Sequence, residues 1–388
     1  MKKSRSLFLF VALLTIALLA AGCGGGESGG EAGGDTIKIG FLGGLTGGHS
    51  HYGIETLKGM QMAVDDINAA GGVNGKQLEI VQGDHGSNSS EAANVTQKLI
   101  TQGVSAIVGD PTTGITISAA QICQPAQMVL LSAGAVGSGV VEIGDFIYRD
   151  TLLDAVAAPA VTKYLSEDLK WKKVALVTTT GLPYSESLTA IFKPALDKYG
   201  IEIIAEQSIM EKDTNFSAQV TALSQKEFDG VVFTGYYTEG ALFMKEMRKQ
   251  GLNQVLVGGD GLLGKELYEL GGDAVQGSMV YAGFAVDENA TGKTKEFIDA
   301  YKAANNDAFP DMFPAQGYDA VMLLADAMKA ANSSDPTVFK AKLAETKDWQ
   351  GVTGTITFDE NREPIKSPVY LQEVKGQAFA VKAVIPIN

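Results

Sequence analysis

Short β runs closed by glycine alternate with amphipathic helical stretches along this chain, and the alternation occurs twice. TIKIGFLGG (36–44) reads as a strand ending in glycines. In the following YGIETLKGMQMAVDDINAAGG, Ile54, Leu57, Val64 and Ile67 recur at helical spacing, and Gly71-Gly72 closes the helix with residues that accept positive φ. A strand over 76–84, a helix over 91–102, a strand over 104–110, a helix over 114–123 and a strand over 128–134 continue the pattern. The rhythm restarts at KKVALVTTT (172–180) and runs on through IEIIAEQSI, FDGVVFTG, QVLVGGD and GSMVYAGF. Strand-helix alternation implies right-handed crossovers and a parallel sheet covered on both faces. The predicted fold is therefore α/β, built from two similar Rossmann-like units in tandem.

In open sheets of this kind, ligands bind beyond the carboxyl ends of the strands. Those ends read GGLTGGHSHYG, GDHGSN, GDPTTG and SAGAVGSG in the first unit, and TTTGLPYSE, TGYYTEG and GGDGLLG in the second. Glycines allow close approach to the backbone, and helix starts after Thr113 and Ser185 present unpaired N–H groups suited to a carboxylate. Tyr52, Tyr184, Tyr236 and Asp260 add aromatic walls and a negative charge.

The N-terminus states where the chain works. Lys2, Lys3 and Arg5 precede an apolar run from Leu7 to Ala20, shorter than the roughly 20 residues that span a bilayer and suited to a secretory signal. Leu19-Ala20-Ala21-Gly22-Cys23 resembles the lipobox of bacterial lipoproteins, which implies a signal peptide over 1–22 and lipid on Cys23. GGGESGGEAGGD cannot bury a core, so 23–35 reads as a tether holding the rest roughly 20 Å from the lipid. Loss of the three basic residues with the signal takes the formal charge from −14 to −17, which excludes nucleic acid and repels anionic headgroups. With two cysteines in all and Cys23 lipidated, Cys123 has no disulfide partner.

GGLTGGHSHYGIETLKGMQMAVDDINAAGGVNGKQLEIV, IVGDPTTG, Tyr184-Ser185-Glu186, FTGYYTEG, GGDG, FPAQGYDAVMLL and GVTGTITFDENREP follow one another in order over residues 36–388. Together they resemble the leucine/isoleucine/valine-binding proteins, the substrate-binding components of branched-chain amino-acid ABC importers. The resemblance implies a type I periplasmic binding protein: two Rossmann-like lobes joined by three crossovers that close on a ligand. By analogy the N-terminal lobe is 36–151 plus 284–350 and the C-terminal lobe 152–283 plus 351–388. It also implies a monomer that delivers a small-molecule ligand to permease subunits with cytoplasmic ATPases, needs no cofactor and sits outside the cytoplasm on the membrane surface.

Site residues carry over singly. Thr113 matches the hydroxyl residue holding the ligand carboxylate at a helix N-terminus. Gly134 matches a carbonyl that accepts from the ligand ammonium, and Asp260 an acid that pairs with it. Tyr52 and Tyr236 match aromatic walls, with Tyr184 and Phe313 supporting. Val136 stands where amino-acid-binding members have threonine, and Thr112 or Ser138 is placed to compensate. The change leaves amides, urea and aromatic acids beside apolar amino acids as ligand classes, and a sensor beside an importer. His49, His51 and His85 fall in neighbouring loops, where such residues are usually solvated, and no metal site is expected of them. GFLGGLTGG matches neither GxGxxG nor the Walker pattern, and Ser185 has no histidine in its lobe, so an enzyme is not expected.

Overall fold

The computed structural model describes residues 36–287 and 289–387. The expected signal segment, Cys23 and the tether lie outside the described residues. The first sheet contains β1 (Thr36–Gly43), β2 (Gln77–Asp84), β3 (Ala106–Gly109), β4 (Leu130–Ser132) and β5 (Ile147–Arg149) in the order 2-1-3-4-5, all parallel. The second contains β6 (Lys173–Thr180), β7 (Glu202–Met210), β8 (Gly230–Thr234), β9 (Val255–Gly258) and β10 (Met279–Ala282). Its parallel strands run 7-6-8-9-10, which repeats the order of the first sheet. The tandem units read from the sequence are thus the same topology built twice.

Helices fill the crossovers. In the first unit these are α1 (Ser50–Ala69), α2 (Ser89–Thr101) and α3 (Thr113–Cys123). In the second they are α4 (Asp154–Glu167), α5 (Pro183–Lys198), α6 (Ser217–Leu223), α7 (Tyr237–Lys249) and α8 (Lys265–Gly271). Then come α9 (Gly292–Ala304), α10 (Met312–Ala331) and α11 (Pro336–Ala344). A small antiparallel sheet follows, of β11 (Trp349–Gly351), β12 (Gly354–Phe358) and β13 (Pro364–Ile365). Finally β14 (Val369–Lys375) and β15 (Ala378–Ile385) add to the second sheet, β14 antiparallel to β10.

The lobe boundaries expected from the resemblance need one correction. Residues 351–388 were assigned whole to the C-terminal lobe, yet Ile356 and Phe358 are buried in the core of the first sheet. A sheet with strands of three, five and two residues cannot bury itself, so it is shared, Val352 packing in the second core and Ile356 and Phe358 in the first, and the chain re-enters the second sheet only at Val369. Helix α10 also straddles the two cores: Met312, Phe313 and Ala315 join the second, while Ala320 to Met328 join the first. β5 is an element that the sequence pattern did not predict.

Two glycines set how α10 lies on α1. A Cβ on Gly59 would overlap the carbonyl of Pro314, and one on Gly317 would overlap the carbonyl of Thr56. The helices therefore touch backbone to backbone, and this contact places Asp311 and Phe313 beside the first turn of α1. Gly59→Ala should destabilise the protein by about 1–3 kcal/mol through overpacking, measured by urea unfolding. An unchanged unfolding midpoint would mean that the helices can part without cost.

Candidate functional site

In a sheet of order 2-1-3-4-5 the crevice opens where the strand order reverses, between β1 and β3, and here between β6 and β8 as well. The two crevices face each other. Between them lies a small cavity lined by Tyr52, Thr112, Thr113, Val136, Tyr184, Tyr236, Asp260 and Phe313, with Pro111 and Gly261. Of the candidate residues, Gly134 alone is not in the lining; its backbone packs behind Pro111 at φ 141°, where a Cβ would meet Pro111 at 2.8 Å.

The lobes are closed over this space. Tyr52 reaches from α1 to donate its hydroxyl to the Gly261 carbonyl at 2.6 Å, and Tyr237 donates to the Gly48 carbonyl at 3.0 Å. Ser138 Oγ and Ser187 Oγ meet at 3.1 Å. The aromatic walls support one another: Tyr184 stacks on Tyr236 at 5.3 Å between centroids, and Tyr52 lies 4.6 Å from Phe313.

One end of the cavity favours negative charge. Asp110, buried at the end of β3, accepts from the Thr112 N–H at 2.7 Å and the Thr112 hydroxyl at 2.5 Å, and lies 2.9 Å from His85 Nε2. Burial opposes its charge, but His85 and Thr112 outweigh burial and hold its carboxyl below the ordinary carboxylate range. The Thr112 side chain is thereby turned away from α3, so the helix it begins has no side-chain cap, and the first N–H groups of α3 face the cavity free. Thr113 Oγ1, at the same place, accepts from the Gly137 N–H at 3.1 Å. Such a helix start receives a carboxylate without further help.

The other end favours positive charge. Asp260, after β9, is buried, and burial first, then repulsion from Asp154, pushes its carboxyl well above the ordinary value. Among the described residues no cation stands against it. Asp154 lies behind it, accepts from the Tyr281 hydroxyl at 2.8 Å, and is pushed by burial to about 7. The cavity thus has an uncapped helix start at one end and, at the other, a buried acid that the Tyr184 hydroxyl and the Gly261 N–H support but no cation neutralises among the described residues.

Other candidates resolve into structure. Ser185 Oγ accepts from the Thr179 N–H at 2.9 Å and donates to the Thr234 carbonyl, so it is a tie within the second lobe. Cys123 is buried, and burial raises its thiol to about 12, far from a nucleophile. The histidines correct the expectation of solvated loops: His49, His51 and His85 are 8%, 8% and 2% exposed. Each faces an acid that is remote in sequence, a pairing that no local pattern announces. Among the described residues, no three histidine, cysteine or carboxylate side chains gather into a metal-holding group.

Two facing Rossmann-like lobes closed on a small polar-ended cavity define a type I periplasmic binding protein. A model of the periplasmic binding protein family matches residues 36–378, and the chain belongs to that family, among the substrate-binding proteins of branched-chain amino-acid ABC transporters, which are not enzymes. It is 30% identical to the leucine-, isoleucine-, valine-, threonine- and alanine-binding protein of Pseudomonas aeruginosa, over 84% of this chain and 86% of the relative. Among solved structures it is similar to a leucine binding protein from Thermotoga maritima, with TM-score 0.86 and 28% identity over 90% of this chain and 99% of that one. It is also similar to a branched-chain amino acid transporter substrate binding protein from Streptococcus pneumoniae in complex with isoleucine, with TM-score 0.84 and 36% identity over 91% and 99%.

The pressure on Asp154 gives a pH test. Its carboxyl holds a proton more tightly folded than unfolded, so its contribution to stability is full below the ordinary value near 4 and is lost as pH rises through about 7. Asp154→Asn, which cannot ionise, should therefore gain in melting temperature relative to wild type between pH 5 and pH 8. A constant difference across that range would contradict a burial-raised Asp154.

Proposed function

We propose that this chain is the lipid-anchored, extracytoplasmic solute-binding component of an ABC importer and captures a branched-chain or other apolar amino acid between its two lobes. The observation that carries the reading is the polarity of the cavity, with the uncapped start of α3 at one end and the unpaired Asp260 carboxyl at the other. Thr113 and the neighbouring N–H groups take the ligand carboxylate, with the Thr112 side chain held aside by Asp110. Asp260 takes the ammonium, which restores its negative charge; Gly134, which lies behind Pro111 and outside the lining, is given no ligand contact. Tyr52, Val136, Tyr184, Tyr236 and Phe313 enclose the side chain. The relatives' names and the isoleucine bound in the pneumococcal structure support this class of ligand.

The mechanism is two-state. The open form binds ligand through the α3 side of the first lobe; Asp260 and Tyr236 of the second then make contacts absent when the lobes are apart, and the closed form gains by that difference. The closed monomer docks on permease subunits whose cytoplasmic ATPases drive release. Lipid on Cys23 keeps it near them at the membrane surface, and Cys23→Ala should move the protein from the membrane to the soluble fraction.

Val136 favours a second reading with the same fold. Its side chain lines the cavity and offers no hydrogen bond, so a ligand with fewer polar atoms beside the carboxylate, such as an aromatic acid or an amide, is the alternative. A thermal-shift screen of refolded protein against amino acids, amides, urea and aromatic acids separates the two. A ligand at one hundred times its dissociation constant adds about 2.7 kcal/mol of stability. The reading predicts a response to leucine, isoleucine or valine, and Asp260→Ala should weaken that binding by about 2–4 kcal/mol in calorimetry. A response confined to acids or amides that lack an ammonium would overturn it.

A further inference from the structure

His51 stands where the two lobes meet, in the first turn of α1, with its side chain 7% exposed. Its Nε2 is 2.6 Å from Asp311 Oδ2. Asp311 caps α10 by accepting from the Phe313 N–H at 2.9 Å, and α10 is fixed to α1 by backbone contact, so this acid stays with the first lobe. His51 Nδ1 is 3.3 Å from Glu266 Oε2, on α8 of the second lobe. Glu266 Oε2 is buried and accepts no hydrogen bond among the described residues, so the His51 ring can face it as a counter-charge rather than as a hydrogen-bond donor.

The two acids make opposite demands on a neutral ring. A neutral imidazole carries one N–H, so if Nε2 donates to Asp311, Nδ1 turns a lone pair towards the Glu266 carboxylate, and the other tautomer turns one towards Asp311. Only the imidazolium sets a positive charge 3.3 Å from the buried Glu266 oxygen while still donating to Asp311. With the lobes apart Glu266 is gone, and a neutral ring donating from Nε2 satisfies Asp311. We propose that closing the cleft on its ligand takes one proton from solvent onto His51, so that the imidazolium joins Asp311 of the first lobe to Glu266 of the second. His51 is then a positioning residue for ligand capture. The proposal rests on the reading of the chain as a binding protein that closes.

The surroundings agree. Burial opposes charge on His51, but Asp311, then Glu266 and Glu55, outweigh it and hold the ring above its ordinary value. The other neighbours are the rings of Tyr52, Tyr237 and Phe313, at 6.3, 6.3 and 6.1 Å. His49 has no such role: its Nε2 is 3.8 Å from Glu211, but burial holds it below its ordinary value against Glu211 and Asp110, with Lys212 and His85 also opposing charge. It serves instead as a ring 4.2 Å from Tyr236. The sign follows: affinity is greatest where His51 is charged in the closed form, and it falls as pH rises through that form's titration.

Two measurements on the full chain test this. Calorimetric titration with L-isoleucine from pH 6 to 8.5 should show the dissociation constant rising by about three- to tenfold per pH unit within the window where only the closed form holds the proton. In Glu266→Gln and His51→Gln the same profile should lose that rise, and equal slopes in wild type and both variants would overturn the proposal. The second measurement needs no ligand. Ser138→Cys with Ser187→Cys, at positions whose hydroxyls meet across the cleft at 3.1 Å, locks the lobes closed by a disulfide. Imidazole resonances should then show His51 titrating about one unit higher in the locked protein than in the same protein reduced, with Glu266→Gln removing the difference. Identical titration when locked and reduced would overturn the latch even if isoleucine binds. If isoleucine fails to bind at every pH, the ligand reading has failed and the locked titration alone decides the latch.

Discussion

A buried lysine holds the crossovers on which the cleft turns. Lys366 Nζ donates to the backbone carbonyl of Asp150 at 2.8 Å and to Thr353 Oγ1 at 2.5 Å. Asp319 on α10 accepts from the N–H groups of Val352 and Thr353 at 2.8 and 2.9 Å. Burial lowers the basicity of Lys366, while Asp150 and Asp319 oppose that effect. Removing one partner would strand a charge in a dry interior, which typically costs 3–5 kcal/mol. The segment leaving β5, the segment entering β14 and the helix between them are thus tied at one point. Beside it Arg149 donates to the carbonyls of Ala135 and Gly137 at 2.8 and 2.5 Å and pairs with Glu363, so the loop carrying Val136 is set from the same knot.

From that fixed edge the two sheets face each other as copies of one topology, and chemistry is divided between them. The first lobe supplies a helix start stripped of its cap, because Asp110 has taken the Thr112 side chain. The second supplies a carboxyl that burial makes costly to ionise. The proposed zwitterion selectivity needs both halves together. Across the mouth the lobes are joined by Tyr52 to Gly261, Tyr237 to Gly48 and the approach of His51 to Glu266.

Much of this was legible in the sequence, for physical reasons. Strand ends mark themselves with glycine, and a parallel sheet collects those ends at one edge, so Tyr52, Thr113, Tyr236 and Asp260 could be brought to one cavity without coordinates. What stayed hidden was either short or remote. β5 is not marked by the sequence pattern, and the 351–365 segment packs on the first core through Ile356 and Phe358 rather than following its neighbours in sequence. Pro111 and Gly261 line the cavity through the backbone that adjoins the marked residues. The histidines looked like loop residues because their partners are distant; His51 and Asp311 are 260 positions apart.

In the proposed complex one small zwitterion lies across the cleft with its carboxylate on the start of α3 and its ammonium on Asp260. The crystal structure of the L-isoleucine complex tests it most directly. Carboxylate oxygens within hydrogen-bond distance of the Thr113 N–H, the ammonium on the Asp260 carboxylate, and both lobes in contact with the ligand are expected. A ligand bound in the reverse sense, or one held by a single lobe with Asp260 untouched, would contradict it.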